Sequence, residues 1–172
     1  PTFWLEHVPP RLFIPRESAL DDAVYAYWRL SQRGGHECCL GRLANKIAEW
    51  SEAIYGEPYQ PTVLRQAWSL RYLDAKRLTD GFEGRWVSPD REREAHKLRE
   101  ARDNHPAAFD LLRRYHEASV RDAGQDLVEL HTHSGDEDEP IYAPHDLHAL
   151  QQDAVKMLND RHVVIETLPT SN

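Results

Sequence analysis

The sequence has no long apolar run and no recognisable export signal. Its longest apolar stretches cover only a few residues, whereas a helix needs roughly 20 apolar residues to cross a bilayer. The first residues also lack the basic segment followed by an apolar segment that marks a secretory signal. We therefore expect a soluble protein of the cytoplasm with no membrane association.

Cysteine is scarce as well. The two cysteines, Cys38 and Cys39, are adjacent, and this spacing disfavours a bridge between them. Neither has another cysteine to pair with, so a disulfide framework is excluded and a reducing compartment is the natural setting.

The usual sequence motifs of enzymes are missing. The chain contains no glycine-rich phosphate loop, no nucleophile elbow, no His-Glu-x-x-His pair and no dinucleotide fingerprint. The sequence therefore predicts a protein that is not an enzyme and that uses no cofactor.

Aromatic residues are plentiful, with five Trp, seven Tyr and four Phe, and they supply apolar area for a folded core. Apolar residues recur mostly at helical spacing. This pattern predicts a mainly α, compact multi-helix domain with at most a small two- or three-stranded β element. Three parts are expected: an extended N-terminal arm over residues 1–16, a helical core over 17–124, and an acidic C-terminal region over 125–172 with a short strand, a helix and a terminal strand.

Local signals place several element boundaries. The clearest helix carries one apolar stripe formed by Leu40, Leu43, Ile47, Trp50 and Ile54. Gly56 is expected to end this helix, and Pro61 suits the first turn of the next one. A later helix is predicted from Ala108 to about Asp122, with Gly124 as its stop. The segment DLVELHTH is expected to form a strand that pairs with the terminal segment RHVVIE.

Two consecutive amphipathic helices over residues 43–78 resemble a helix-turn-helix in organisation. In that motif the second helix enters the major groove of DNA, and the side chains near its start face the base edges. Arg and Gln match guanine and adenine edges, and Arg85 in a following hairpin would face phosphate. The predicted DNA contacts are Thr62, Arg65, Gln66, Ser69, Tyr72, Lys76 and Arg85.

An ordinary solvated helix face explains the same polar stripe. The link GEPYQ is longer than the three- or four-residue turn of the motif. The net charge of −8 also opposes binding to DNA. Its distribution is uneven, because residues 61 to 114 carry twelve basic and nine acidic side chains, while residues 115 to 172 carry three and twelve.

Ten histidines raise the question of a metal site. The candidate groupings join His36 to Cys38 and Cys39, or combine four histidines with an acidic residue of the loop between them: His131, His133, His145 and His148 with Asp136 or Asp138. No pairing of cysteines and histidines at zinc-finger spacing is present. No metal site is therefore predicted.

Two functions compete on this evidence, with a metal-dependent activity built on the C-terminal histidines as a third hypothesis. The first is a small DNA-associated regulatory protein whose partner is double-stranded DNA and which could act as a homodimer. The second is a non-catalytic subunit or adaptor of a larger complex. Its docking surfaces would be the acidic C-terminal region and the aromatic N-terminal arm, where Phe3, Trp4 and Phe13 are the predicted partner contacts.

Overall fold

A computed structural model describes residues 11–71, 73, 89–115, 117–131 and 140–161. Over these residues the chain forms seven helices and a two-stranded antiparallel sheet, which confirms the predicted mainly α class. In chain order the elements are β1 (Arg11–Pro15), α1 (Arg16–Ser31), α2 (Glu37–Tyr55), α3 (Pro61–Leu70), α4 (Pro89–Asn104), α5 (Pro106–Arg114), α6 (Ala118–Gln125), β2 (Leu127–His131) and α7 (Pro144–Asp160).

Helix α1 lies at the centre of the main core. It packs against α2, α3, α6 and α7, and it also contacts both strands of the sheet. The side chains of Leu20, Ala23 and Leu30 are almost completely buried. Burial of apolar side chains is the main favourable term in folding, so the packing of α1 organises the elements around it.

The α2 helix follows its predicted stripe. Leu43 and Ile47 are fully buried, and the helix ends at Gly56, which adopts a left-handed φ of 79°. The Gly56 N–H donates a hydrogen bond to the carbonyl of Glu52 at 2.7 Å. Helix α3 begins at Pro61 as expected, because a first-turn residue needs no N–H for the helix.

The small sheet joins the start of the described chain to the segment that follows α6. β1 pairs with β2 in an antiparallel register that places Leu12 opposite Leu130 and Ile14 opposite Val128. Ile14, Val128 and Leu130 pack against the main core. Residues 11–15 of the predicted extended arm therefore form a strand, while the expected terminal strand in RHVVIE falls at residues outside the described ranges, apart from Arg161.

The predicted single helix from Ala108 to Asp122 is wrong, because the chain forms two helices there. Glu117 has an extended ψ of 139° immediately before α6, which interrupts the helical geometry. The guanidinium of Arg114 holds the end of α5 against α2 by donating to the Tyr55 carbonyl and to Glu57. These long-range contacts outweigh the local helical preference of the segment.

Gly124 is also not a helix stop, since α6 continues through it to Gln125. A Cβ built at Gly124 would lie 3.2 Å from the Cβ of Glu17. The residue is small because α6 crosses close to α1 at this point. None of the helices in the described ranges is long and apolar enough to span a membrane.

Replacing Gly56 by Ala should destabilise the fold by about 1 to 2 kcal/mol, because an L side chain is strained in the left-handed region. Urea unfolding followed by circular dichroism measures this change. Gly34→Ala is the matched control. Gly34 has no positive φ, and a Cβ added to it would have no neighbouring atom within 4 Å, so its free energy of unfolding should stay nearly unchanged. Equal losses in both variants would contradict this account.

Candidate functional site

Helix α3 presents a polar side to solvent. Thr62, Arg65 and Ser69 are exposed and Gln66 is half-buried, whereas Leu64 and Ala67 are buried on the opposite side. Four of the predicted DNA contacts therefore share this helix. The other three, Tyr72, Lys76 and Arg85, lie outside the described residues.

Arg65 is held above an aromatic ring of the neighbouring helix. Its guanidinium carbon lies 3.9 Å from the centroid of the Trp28 ring, well within the range of a cation–π interaction. No carboxylate of the described residues forms an ion pair with Arg65. Trp28 thus orients its positive charge, which no carboxylate in the described ranges neutralises.

Two more aromatic residues extend this contact between α1 and α3. The Tyr25 ring meets the Trp28 ring edge to face at 6.0 Å and the Trp68 ring at 6.5 Å. Trp68 is 39% exposed, so an aromatic face remains accessible. The α1–α3 surface is defined here as Thr62, Arg65, Ser69, Tyr25, Trp28 and Trp68.

Arg71 fixes the C-terminal end of α3. Its Nη1 lies 2.6 Å from Oδ2 of Asp21 and 3.9 Å from Oε1 of Glu17, and its guanidinium carbon lies 4.4 Å from the Tyr115 ring centroid. Burial raises the pKa of Asp21 against the opposing effect of Arg71. Arg71 therefore ties α3 to α1 and to the end of α5, and so sets the position of the α1–α3 surface.

Helix α3 does not pack mainly on α2, the helix that precedes it in the chain. Helix α3 packs mainly on α5 and α1, while α2 packs mainly on α1 and α6. The five residues from Gly56 to Gln60 join α2 to α3. The exposed side of α3 is thus supported from α1 and α5 more than from the preceding helix.

Basic groups at the end of α1 are neutralised within the chain. Arg29 lies 3.1 Å from Asp153 of α7 through its Nε, and Arg33 pairs with the other oxygen of the same carboxylate. Asp153 is only 5% exposed. One acidic residue of the C-terminal region is therefore an internal counter-ion of α1.

The histidines that the described fold brings together differ from the candidate metal groupings considered from the sequence. Cys38 is exposed, and burial raises the pKa of the Cys39 thiol to about 12. His148 is exposed and bonds to Gln152, and the described residues leave out His133, Asp136 and Asp138. The ring of His36 instead stacks on that of His145 at 5.5 Å.

Asp146 forms a cluster with His36 and His145. It accepts a hydrogen bond from Nδ1 of His36 at 2.7 Å, a contact between residues 110 positions apart. Burial alone would raise the pKa of Asp146, but the hydrogen bonds from His36 and the Ala143 amide lower it, with help from His145. No local sequence signal could have paired His36 with Asp146 at this separation.

The predicted partner contacts are described only in part. Phe3 and Trp4 lie outside the described residues, while Phe13 is 62% exposed on β1.

Comparison of the chain with models of known protein families gave no match, and comparison with curated proteins gave none either. Inference of function therefore rests on the residues of this chain alone.

Replacing Arg71 by Met should destabilise the protein by about 1 to 3 kcal/mol, because Asp21 would lose its charged hydrogen-bond donor in a partly buried place. Full burial of the pair would make the loss larger, but both side chains keep some exposure. Thermal unfolding provides the measurement. The matched control is Arg113→Met on α5, an exposed arginine with no ion partner among the described residues, and it should change stability by less than about 0.5 kcal/mol. Equal stability of the two variants would refute the anchoring role of Arg71.

Proposed function

We propose that the protein is a DNA-associated regulatory protein that binds double-stranded DNA through the α1–α3 surface. The observation that carries this proposal is Arg65, which is exposed, stacked on Trp28 and without a carboxylate partner among the described residues.

The contact with Trp28 prepares Arg65 for a ligand. Stacking uses the face of the guanidinium and leaves the N–H donors at its edge available. Those donors match the O6 and N7 acceptors that guanine presents in the major groove. Because the side chain is already held in place, less conformational entropy is lost when it binds.

Neighbouring groups on α3 support the same ligand. Thr62 and Ser69 lie about one turn before and after Arg65 on the exposed side of the helix. The first turn of α3 contains no acidic residue, so its N-terminal positive dipole is not opposed there by a carboxylate of its own. Hydroxyl groups and helix N-termini are common donors to DNA phosphates.

The net charge of −8 limits this interaction. With few positive groups facing DNA, counter-ion release contributes little affinity, and much of the binding would come from contacts to base edges. We therefore expect weak binding to random duplexes and a preference for a particular sequence.

The test begins with selection of a preferred duplex from a random pool at low salt, followed by fluorescence anisotropy. Arg65→Ala should weaken binding to the selected duplex by about 1 to 3 kcal/mol, because one bidentate base contact is lost. Arg121→Ala is the matched control, since Arg121 is an exposed arginine of α6 without an ion partner among the described residues. The affinity of the Arg121→Ala variant for the selected duplex should match that of the wild type.

Failure to bind any duplex at low salt, where phosphate attraction is strongest, would refute the proposal. An equal loss of affinity in Arg65→Ala and Arg121→Ala would also refute it, because the effect would then reflect overall charge.

Protein docking is the second candidate function, and the outer face of the sheet favours it. Phe13 is 62% exposed and Leu127 is 64% exposed. Residues opposite each other in an antiparallel pair lie on the same face, and Phe13 faces Glu129 while Pro15 faces Leu127. Phe13 and Leu127 are therefore diagonal neighbours on one solvent-facing side, as expected for an anchor in a protein interface.

A second copy of the chain is the simplest occupant of this face to test. Light scattering after size-exclusion chromatography should show a dimer whose dissociation constant rises at least about tenfold in Phe13→Ser, because a central aromatic anchor is lost. Val155→Ser is the control, since Val155 is an apolar residue of α7 that is 57% exposed. A wild-type protein that stays monomeric at high concentration would exclude the homodimer.

A further inference from the structure

Two histidines converge on one carboxylate oxygen at the junction of α2 and α7. Oδ1 of Asp146 lies 2.7 Å from Nδ1 of His36 and 3.2 Å from Nε2 of His145. The two imidazole rings are nearly parallel, at 16°. The three potential ligand atoms all lie within 4.8 Å of one another.

The surrounding contacts fix the carboxylate. Oδ2 of Asp146 accepts the backbone N–H of Ala143 at 2.8 Å, which leaves Oδ1 directed at the two rings. The loop that precedes α7 is held in turn by α2, because the Ile141 carbonyl accepts hydrogen bonds from Cys39 Sγ at 3.4 Å and from Arg42 Nε at 3.1 Å. Such outer contacts orient metal ligands in proteins.

The geometry points to a binding site for a divalent transition-metal ion, with Zn²⁺ as the representative ion, formed by His36, His145 and Asp146. In the ion-free chain Nδ1 of His36 donates its proton to this oxygen, and Nε2 of His145 approaches the same oxygen to 3.2 Å. A bound metal ion would take the place of the His36 proton, which moves to the other ring nitrogen or to solvent, and would be held by one nitrogen lone pair from each ring and by the carboxylate.

The donor set selects the class of ion. Two imidazole nitrogens and one carboxylate oxygen suit zinc and its first-row neighbours, whereas calcium and magnesium prefer oxygen ligands only. An ion about 2 Å from each ligand atom requires Nδ1 of His36 to move back from its 2.7 Å contact with Oδ1 and the His145 ring, which is 64% exposed, to adjust its position.

The three side chains of the site differ sharply in burial, and this difference indicates whether the metal site is open or closed. The side chain of Asp146 is 1% exposed and that of His36 is 11% exposed, but His145 faces solvent. Three protein ligands with one open side leave a coordination position for water or another small ligand. Within the described ranges the site is thus of the open kind.

Titration calorimetry with Zn²⁺ tests the assignment on the full chain. The wild type should bind one equivalent of zinc, and His145→Ala should weaken that binding at least about tenfold, since losing even an outer-shell partner costs 10- to 100-fold. His148→Ala is the matched control, because His148 is an exposed histidine on the same helix. Its zinc affinity should equal that of the wild type.

A second variant and a second readout make the test independent of folding. Asp146→Asn keeps an oxygen for the Ala143 N–H but removes the charge, and it should also weaken binding. Co²⁺ titration should give a visible absorption band in the wild type and in His148→Ala that is lost in His145→Ala and Asp146→Asn. Absence of stoichiometric zinc binding, unchanged binding in His145→Ala, or an equal loss in His148→Ala would each overturn the assignment.

Discussion

Burial of helix α1 is the constraint on which the rest of the structure depends. Its buried face is built largely from small residues, Ala19, Ala23 and Ala26, beside Leu20 and Leu30. Small side chains allow neighbouring helices to come close, and the approach of α6 at Gly124 shows the same requirement. Because α1 contacts α2, α3, α6 and α7, the side chains on its margins fix where those helices lie. Both candidate sites are positioned in this way.

The acidic C-terminal region serves partly as an internal element. Asp153 pairs with Arg29 of α1 and with Arg33, which follows the end of that helix, and this contact docks α7 against the core. Asp146, two turns earlier on the same helix, then meets His36 at the start of α2. An acidic surplus read from composition suggests an exposed surface, yet these two carboxylates are among the most buried polar groups of the described residues. Their charges are balanced by specific partners, as burial of a charge requires.

Sequence alone predicts the features that depend on neighbours along the chain. The α2 stripe, its end at Gly56 and the start of α3 at Pro61 follow from helical periodicity and backbone chemistry. The exposed side of α3 was predictable from the same periodicity. The break before α6, the pairing of β1 with β2 and the meeting of His36 with Asp146 depend on contacts between distant segments. The support that Trp28 gives to Arg65 from a neighbouring helix likewise depends on tertiary packing.

Adjacent residues of α1 contact the elements that carry the two candidate sites, since Trp28 supports Arg65 while Arg29 binds Asp153 on the helix that carries His145 and Asp146. Adjacency on a helix does not by itself couple two sites. Coupling requires an element with two arrangements whose equilibrium both ligands shift, and α1 is packed on several sides in one arrangement. Occupation of the histidine site should therefore leave the affinity of the α1–α3 surface unchanged. The effects of Arg65 and His145 substitutions on stability should add, as expected for separate sites without shared partners.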